Sequence, residues 1–284
     1  MAIITISRGC YSHGKEIAER VASQLNYECI SREILIEASH FFHVSEMGLL
    51  NSMEKEPSIL ERITHGRDKY LTYIKAAFLE HIKNGNSVYH GHAGHLLLEE
   101  VPCVLKVRII AAMKERIRFL CEKEKISDKE ALKRIRIEDR KRFNWTKYIY
   151  NKDINDPAFY DLTLQIESLT LNDACDIICC AAKRSIFNTQ NGGCLENLTD
   201  LAISTHVRAA LANICDAEVS CKNGIVHIKV AAKKIRKNDY ITPSMQSEMQ
   251  DQLHADMVRE IAEVARSVPS VKEVSCDIEM PYYH

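Results

Sequence analysis

The chain has 284 residues, enough for about two domains. Hydrophobic residues make up 46% and charged residues 27%, the balance of a folded globular protein. The formal net charge of -1 excludes a global basic field that would recruit nucleic acid or an anionic membrane. The opening stretch MAIITISRG has neither a basic n-region nor a long apolar run, and no segment approaches the roughly 20 apolar residues that span a bilayer. The expectation is a cytoplasmic protein with no integral membrane segment. Its 11 cysteines are odd in number and form no C-x-x-C, which predicts reduced thiols, with Cys179-Cys180 as a buried small-apolar pair.

In chain order, Ile3-Ile4-Thr5-Ile6 reads as a strand. Gly9-Cys10-Tyr11-Ser12-His13-Gly14-Lys15-Glu16 follows, and then Ile17, Ala18, Val21, Ala22 and Leu25 at helical spacing. Strand, G-x-x-x-x-G-K loop and helix is the arrangement that cradles phosphate. The glycines let successive backbone N–H groups point inward, the helix N-terminus adds partial positive charge, and Lys15 reaches the outer phosphates. Glu16 stands where a Ser or Thr hydroxyl would meet Mg²⁺.

Residues 26–30 read as a second strand, ending at Ser31-Arg32-Glu33 before a helix with Ile34, Leu35 and Ala38. Arg32 is placed either for an anion or for a surface pair with Glu33 or Glu37. Helical spacing runs from Ile59 to Ile82 and stops at Asn84-Gly85-Asn86. A strand, Ser87–His90, leads into the turn Gly91-His92-Ala93-Gly94-His95. His90, His92 and His95 lack a Cys or acidic partner at ligand spacing, so one histidine facing a phosphate is favoured over a metal site. Residues 104–110 form a β-branched strand. Residues 113–148 read as charged helix broken near Ile126-Ser127-Asp128, with Ser127 and Glu130 opening its second half. Arg134, Arg136, Arg140 and Arg142 lie on nearby turns of that half, Arg136 and Arg140 on one face, with Glu138 and Asp139 tempering the charge. Residues 161–166 are a last strand and 169–186 a closing helix. Alternating strands and helices predict a parallel sheet covered on both faces, with ligands at its carboxyl edge.

The order of parts resembles the cytidylate kinase-like family of P-loop nucleoside-monophosphate kinases, over about residues 1–187. The similarity is carried by Ile4-Thr5-Ile6-Ser7-Arg8, Gly14-Lys15-Glu16-Ile17-Ala18, Ser31-Arg32-Glu33, Gly91-His92-Ala93-Gly94, Asp139-Arg140-Lys141-Arg142 and Asp156–Leu162. It implies phosphate binding by Arg8, Gly9, Ser12, His13, Gly14, Lys15 and Glu16, and an acceptor held by Arg32 and His92. Lys15, Arg140 and Arg142 act on the transferring group, the arginines from a helical lid. It implies ATP and Mg²⁺, with Ser12 and Glu16 as indirect metal ligands, and a CMP-like acceptor. The family has Asp where Ser31 stands and Arg where His92 stands, which keeps a second reading open: a regulatory module that binds a small-molecule nucleotide without turnover.

Residues 188–196 have linker composition. In residues 197–284 a helix from Leu198 to Ile214 precedes a hairpin turning at Asn223-Gly224. A polar insert spans 233–247, then a helix from about 250 to 267 and a final strand, 271–278. This αββαβ order resembles a BON domain, through Asp200-Leu201-Ala202-Ile203, Asn223-Gly224-Ile225-Val226 and Ala265–Val271. The resemblance implies a non-catalytic sensing or docking role, and a homodimer or domain interface is the alternative.

Overall fold

The computed structural model describes residues 2–31, 33–49, 66–91, 93–99, 101–190, 193–232, 234–235, 243–280 and 282–283. The chain divides into two compact units, Met1–Leu195 and Glu196–His284.

The first unit is built on β1 (Ile3–Arg8), β2 (Glu28–Ile30), β3 (Ser87–His90), β4 (Val104–Ala111) and β5 (Leu162–Ile166). They form one parallel sheet in the order β2-β3-β1-β4-β5. Its helices are α1 (Gly14–Leu25), α2 (Glu33–Phe42), α3 (Gly66–Ile82), α4 (Gly94–Leu97), α5 (Met113–Glu124), α6 (Asp128–Tyr150) and α7 (Leu171–Ala182). Alternation along the strands makes the two sheet faces different. Ile4, Ile6, Val88, Leu105, Val107, Ile109 and Leu164 pack against the apolar stripes of α1 and α7. The opposite face carries Thr5, Ser7, Tyr89, Lys106 and Arg108, and pairing aligns Thr5 with Tyr89 and Lys106, and Ser7 with Arg108. The first face supplies the core. The second sets polar groups behind the carboxyl edge.

Helix boundaries follow local hydrogen bonding. Ser127 caps α6 by accepting the Glu130 N–H at 3.3 Å, which accounts for the break before it. α7 starts at Leu171 because Thr170 and Asp173 satisfy each other's backbone N–H groups. The helical pattern assigned from Ile59 is present as α3 from Gly66; residues 59–65 lie outside the described residues.

The second unit contains α8 (Cys194–Leu211, beginning at the end of the first unit), β6 (Ala217–Lys222), β7 (Ile225–Val230), β8 (Lys234–Ile235), α9 (Pro243–Ser267), β9 (Glu273–Ile278) and β10 (Tyr282–Tyr283). β6 and β7 are antiparallel and β7 and β9 parallel. Asn223 and Gly224 turn the hairpin with φ of 55° and 81°. Asp200 of α8 accepts both their N–H groups, at 2.7 and 3.0 Å. α9 starts seven residues before the expected position, with Pro243 in the first-turn position its fixed φ favours. Its first turns expose Met245 and Met249, so no core pattern marked them as helix.

Two cysteine expectations change. Cys103 and Cys194 are joined as a disulfide, with Cα atoms 6.3 Å apart, while Cys10, Cys121, Cys175, Cys179, Cys180, Cys221 and Cys276 are free thiols. Cys179 is buried but its neighbour Cys180 is exposed, because adjacent helical residues point about 100° apart. Among the described residues no helix is long and apolar enough to cross a membrane.

Candidate phosphate-binding site

The site begins where β1 runs out at the carboxyl edge. Gly9 N–H donates to the Ile109 carbonyl at 3.1 Å, tying the start of the loop to β4. Ser12 is fully buried, and its hydroxyl lies 2.8 Å from the Gly9 carbonyl and 3.2 Å from that of Ile109. The loop enters α1 at Gly14. A Cβ there would lie 2.7 Å from Arg8 Cβ, so only glycine lets the end of β1 approach the helix start. Tyr11 and His13 take the left-handed conformation, with φ of 57° and 60°. That region costs a non-glycine residue about 1 kcal/mol or more, so the surrounding contacts over-determine the loop.

Those contacts come from α5 and α6. Arg116 is buried, and its Nε donates to the Cys10 carbonyl at 2.6 Å. Its other end grips both oxygens of Asp139 at 2.7 Å. Asp139 also accepts the Cys10 N–H at 3.3 Å. One turn on, Arg142 donates to the Arg8 carbonyl at 3.2 Å. The start of the loop, Arg8 to Cys10, is thus gripped by Arg116 of α5 and by Asp139 and Arg142 of α6, the predicted lid helix. Burial, opposed by Arg142 and reinforced by Asp139, pushes the Cys10 thiol up to about 11, so it stays protonated at neutral pH.

The residues expected to act here do not all converge. Arg8, Gly9, Ser12, His13 and Gly14 form the loop, and Arg142 reaches it. Lys15 is exposed and lies along α1, 3.6 Å from Glu19. Glu16 accepts from, or pairs with, His13 Nδ1 at 2.8 Å, and the His13 ring meets Phe119 edge-on at 4.4 Å. Arg140 is exposed on α6. Arg32 and His92 lie outside the described residues. No group of three or more His, Cys, Asp or Glu among the described residues could hold a metal. A shallow cavity of about 370 Å³, lined by Gln24, Leu25, Asp176, Cys179, Cys180 and Lys183, lies at the far end of α1 and is separate from the loop.

Sequence reading missed Arg116, which reads only as part of the charged helical stretch 113–148. The signal was its spacing: Arg116 and Leu120 are i,i+4 and are the buried residues of α5. It also missed a second polar assembly on the sheet face behind the loop. The Tyr160 hydroxyl donates to the Ile154 carbonyl at 2.9 Å and lies 3.4 Å from Ser7 Oγ. Arg108 donates to the Ile154 carbonyl at 2.5 Å and to Asn155 Oδ1 at 2.6 Å. His95 packs on Tyr160 at 4.6 Å, is 1% exposed, and has no hydrogen-bond partner for either ring nitrogen among the described residues. Burial, then Lys106, Arg108 and Lys152, lower its pKa to about 3.

The model of the cytidylate kinase-like family matches residues 3–168. The chain belongs to that family. The match takes in β1, the loop, α5, α6 and β5, so the Arg116–Asp139–Arg142 assembly lies wholly within the kinase-like region. A cytidylate kinase from Pyrobaculum islandicum is 28% identical over 177 residues, covering 61% of this chain and 89% of that protein. A solved structure from Eubacterium ventriosum ATCC 27560 is 18% identical with a TM-score of 0.49, covering 65% of this chain and 100% of its own. Shikimate kinase from Bacteroides thetaiotaomicron is 11% identical with a TM-score of 0.39, over 64% and 99% of the two chains. Family membership supports nucleotide-dependent phosphoryl transfer in general.

Proposed function

We propose that the chain transfers a phosphoryl group from ATP to a nucleoside monophosphate of the CMP type. The observation that carries this is the glycine-containing loop at the carboxyl edge of β1, gripped by Arg116, Asp139 and Arg142. The loop amides and the α1 N-terminus suit the oxygens of a polyphosphate. Lys15 swings from Glu19 to the outer phosphates, and Arg142 and Arg140 approach the transferring group as α6 closes, excluding water. Arg32 and His92 are proposed to hold the acceptor phosphate. Mg²⁺ supplies charge neutralisation on the phosphates. Ser12 and Glu16 are committed to Gly9, Ile109 and His13, so their part is positioning rather than direct ligation. A coupled assay across nucleoside monophosphates with ATP and Mg²⁺ tests the reading. It fails if no acceptor turns over faster than with Lys15→Ala.

One observation favours a second reading. Lys15, Ser12 and Glu16 all have intramolecular partners here, as in a loop that binds nucleotide but does not drive transfer. ATP binding by calorimetry without transfer to any acceptor selects this regulatory role. The second unit, with its α8-β6-β7-α9-β9 order, is proposed as a BON-like sensing, docking or homodimer module. The whole chain is proposed to be cytoplasmic.

A further inference from the structure

We propose that Cys103 and Cys194 form a redox-responsive clasp, closed by small-molecule disulfides and opened by excess thiol. Their Cα atoms are 6.3 Å apart, inside the range a disulfide spans. Both residues are buried, at 3% and 2% exposure. Cys103 immediately precedes β4, and Cys194 is the first residue of α8. Thr189, five residues before Cys194, meets the same amino-terminal edge of the sheet. Thr189 is buried, and its Oγ1 lies 3.0 Å from the position a Cβ would take on Gly85, two residues before β3. The bond therefore completes an anchorage of which Thr189 is the other point.

The remaining cysteines argue for a switch over a permanent staple. Cys10, Cys121, Cys175, Cys179, Cys180, Cys221 and Cys276 are free thiols, and Cys180 is exposed among them. A chain so rich in free thiols suits a reducing compartment, where a disulfide is transient and responsive. The exchange balances with a low-molecular-weight disulfide RS–SR as oxidant. One cysteine thiolate attacks RS–SR, expelling one RS⁻ and forming a mixed disulfide. The second cysteine thiolate attacks the protein sulfur of that mixed disulfide and expels the other RS⁻. Two protein protons end on two RSH, and the protein loses two electrons. Because both cysteines are buried, they must be uncovered before exchange, which makes the response slow.

The closed clasp bounds a loop of 91 residues in sequence separation that contains α5 and α6, and so Arg116, Asp139 and Arg142. Oxidation therefore stabilises the part of the fold that grips the phosphate loop. The test uses the full chain after incubation with oxidised glutathione or with dithiothreitol, followed by non-reducing peptide mapping and thermal melts. A Cys103–Cys194 linked peptide is expected only in the oxidised sample. Its melting temperature is expected to be higher by about 10 °C. Cys194→Ser abolishes the difference, and Cys180→Ser keeps it. Should Cys194→Ser fail to fold, mapping of the wild-type chain still decides. Separate alkylation or separate glutathionylation of Cys103 and Cys194 after oxidation overturns the proposal. So does a linked peptide that survives excess dithiothreitol in the folded chain, which would make the bond a fixed staple.

Discussion

Acidification loads a proton onto His95 in the unfolded chain long before it can do so in the fold. The free imidazole titrates near 6.5, whereas in the structure burial, and then the cations Lys106, Arg108 and Lys152, hold it down to about 3. The folded pKa of a base lies below its unfolded value, so between these limits the unfolded state binds the extra proton. Stability attributable to His95 is then full above the unfolded value and falls as pH falls toward the folded one. At about pH 5 the loss is about 2 kcal/mol, set by the unfolded state's protonation alone. For a chain of this size that is about 4–8 °C of melting temperature. Thermal melts of wild type and His95→Phe between about pH 7.5 and pH 5 isolate the effect, since the other histidines act on both proteins. Phe keeps the contact with Tyr160 and removes two buried nitrogens that have no partner among the described residues, so the variant should match or exceed wild type at neutral pH. The wild type should then lose more stability on acidification. Parallel slopes for the two proteins would refute the reasoning, because they would mean that His95 is hydrated or charged in the fold.

Other outcomes follow from the loop. Asp139→Ala leaves the buried Arg116 guanidinium without its carboxylate and should cost about 1–3 kcal/mol in denaturant melts, and Arg116→Ala should cost little more when added to it. Additive losses would show that the two do not act as a pair. Gly14→Ala should lower ATP affinity and destabilise by about 1–3 kcal/mol, since the new methyl meets Arg8 Cβ at 2.7 Å. Lys15→Ala should leave stability within about 0.5 kcal/mol, because its partner is an exposed Glu19, yet reduce phosphoryl transfer strongly. Equal activity in a coupled assay would exclude Lys15 from the chemistry.

The parallel sheet and the loop were legible because their determinants are local. β-branched runs, glycines and a helical stripe sit side by side in sequence, and Ser127 with Glu130 marks the start of α6. The Arg116–Asp139 pair was not legible, since it joins two helices and nothing local in the sequence links Arg116 to the Asp139–Arg142 stretch. His95 was weighed with His90 and His92 as a phosphate contact, yet its neighbours Tyr160 and Arg108 come from distant strands and loops. The Cys103–Cys194 pairing had no local signal either among 11 cysteines. The early start of α9 was hidden for the opposite reason: its first turns bury too little to leave an apolar period.

β1 occupies the middle of the sheet, yet it precedes both of its neighbours in the chain. Its partners begin at Ser87 and Val104. On the ribosome it is therefore made first and waits, with both hydrogen-bonding edges open, until the chain beyond residue 104 has emerged. Parallel pairing over such separations is slow and leaves intermediates prone to stick to one another. The strand that carries the candidate phosphate loop is thus also the one most dependent on shelter during synthesis.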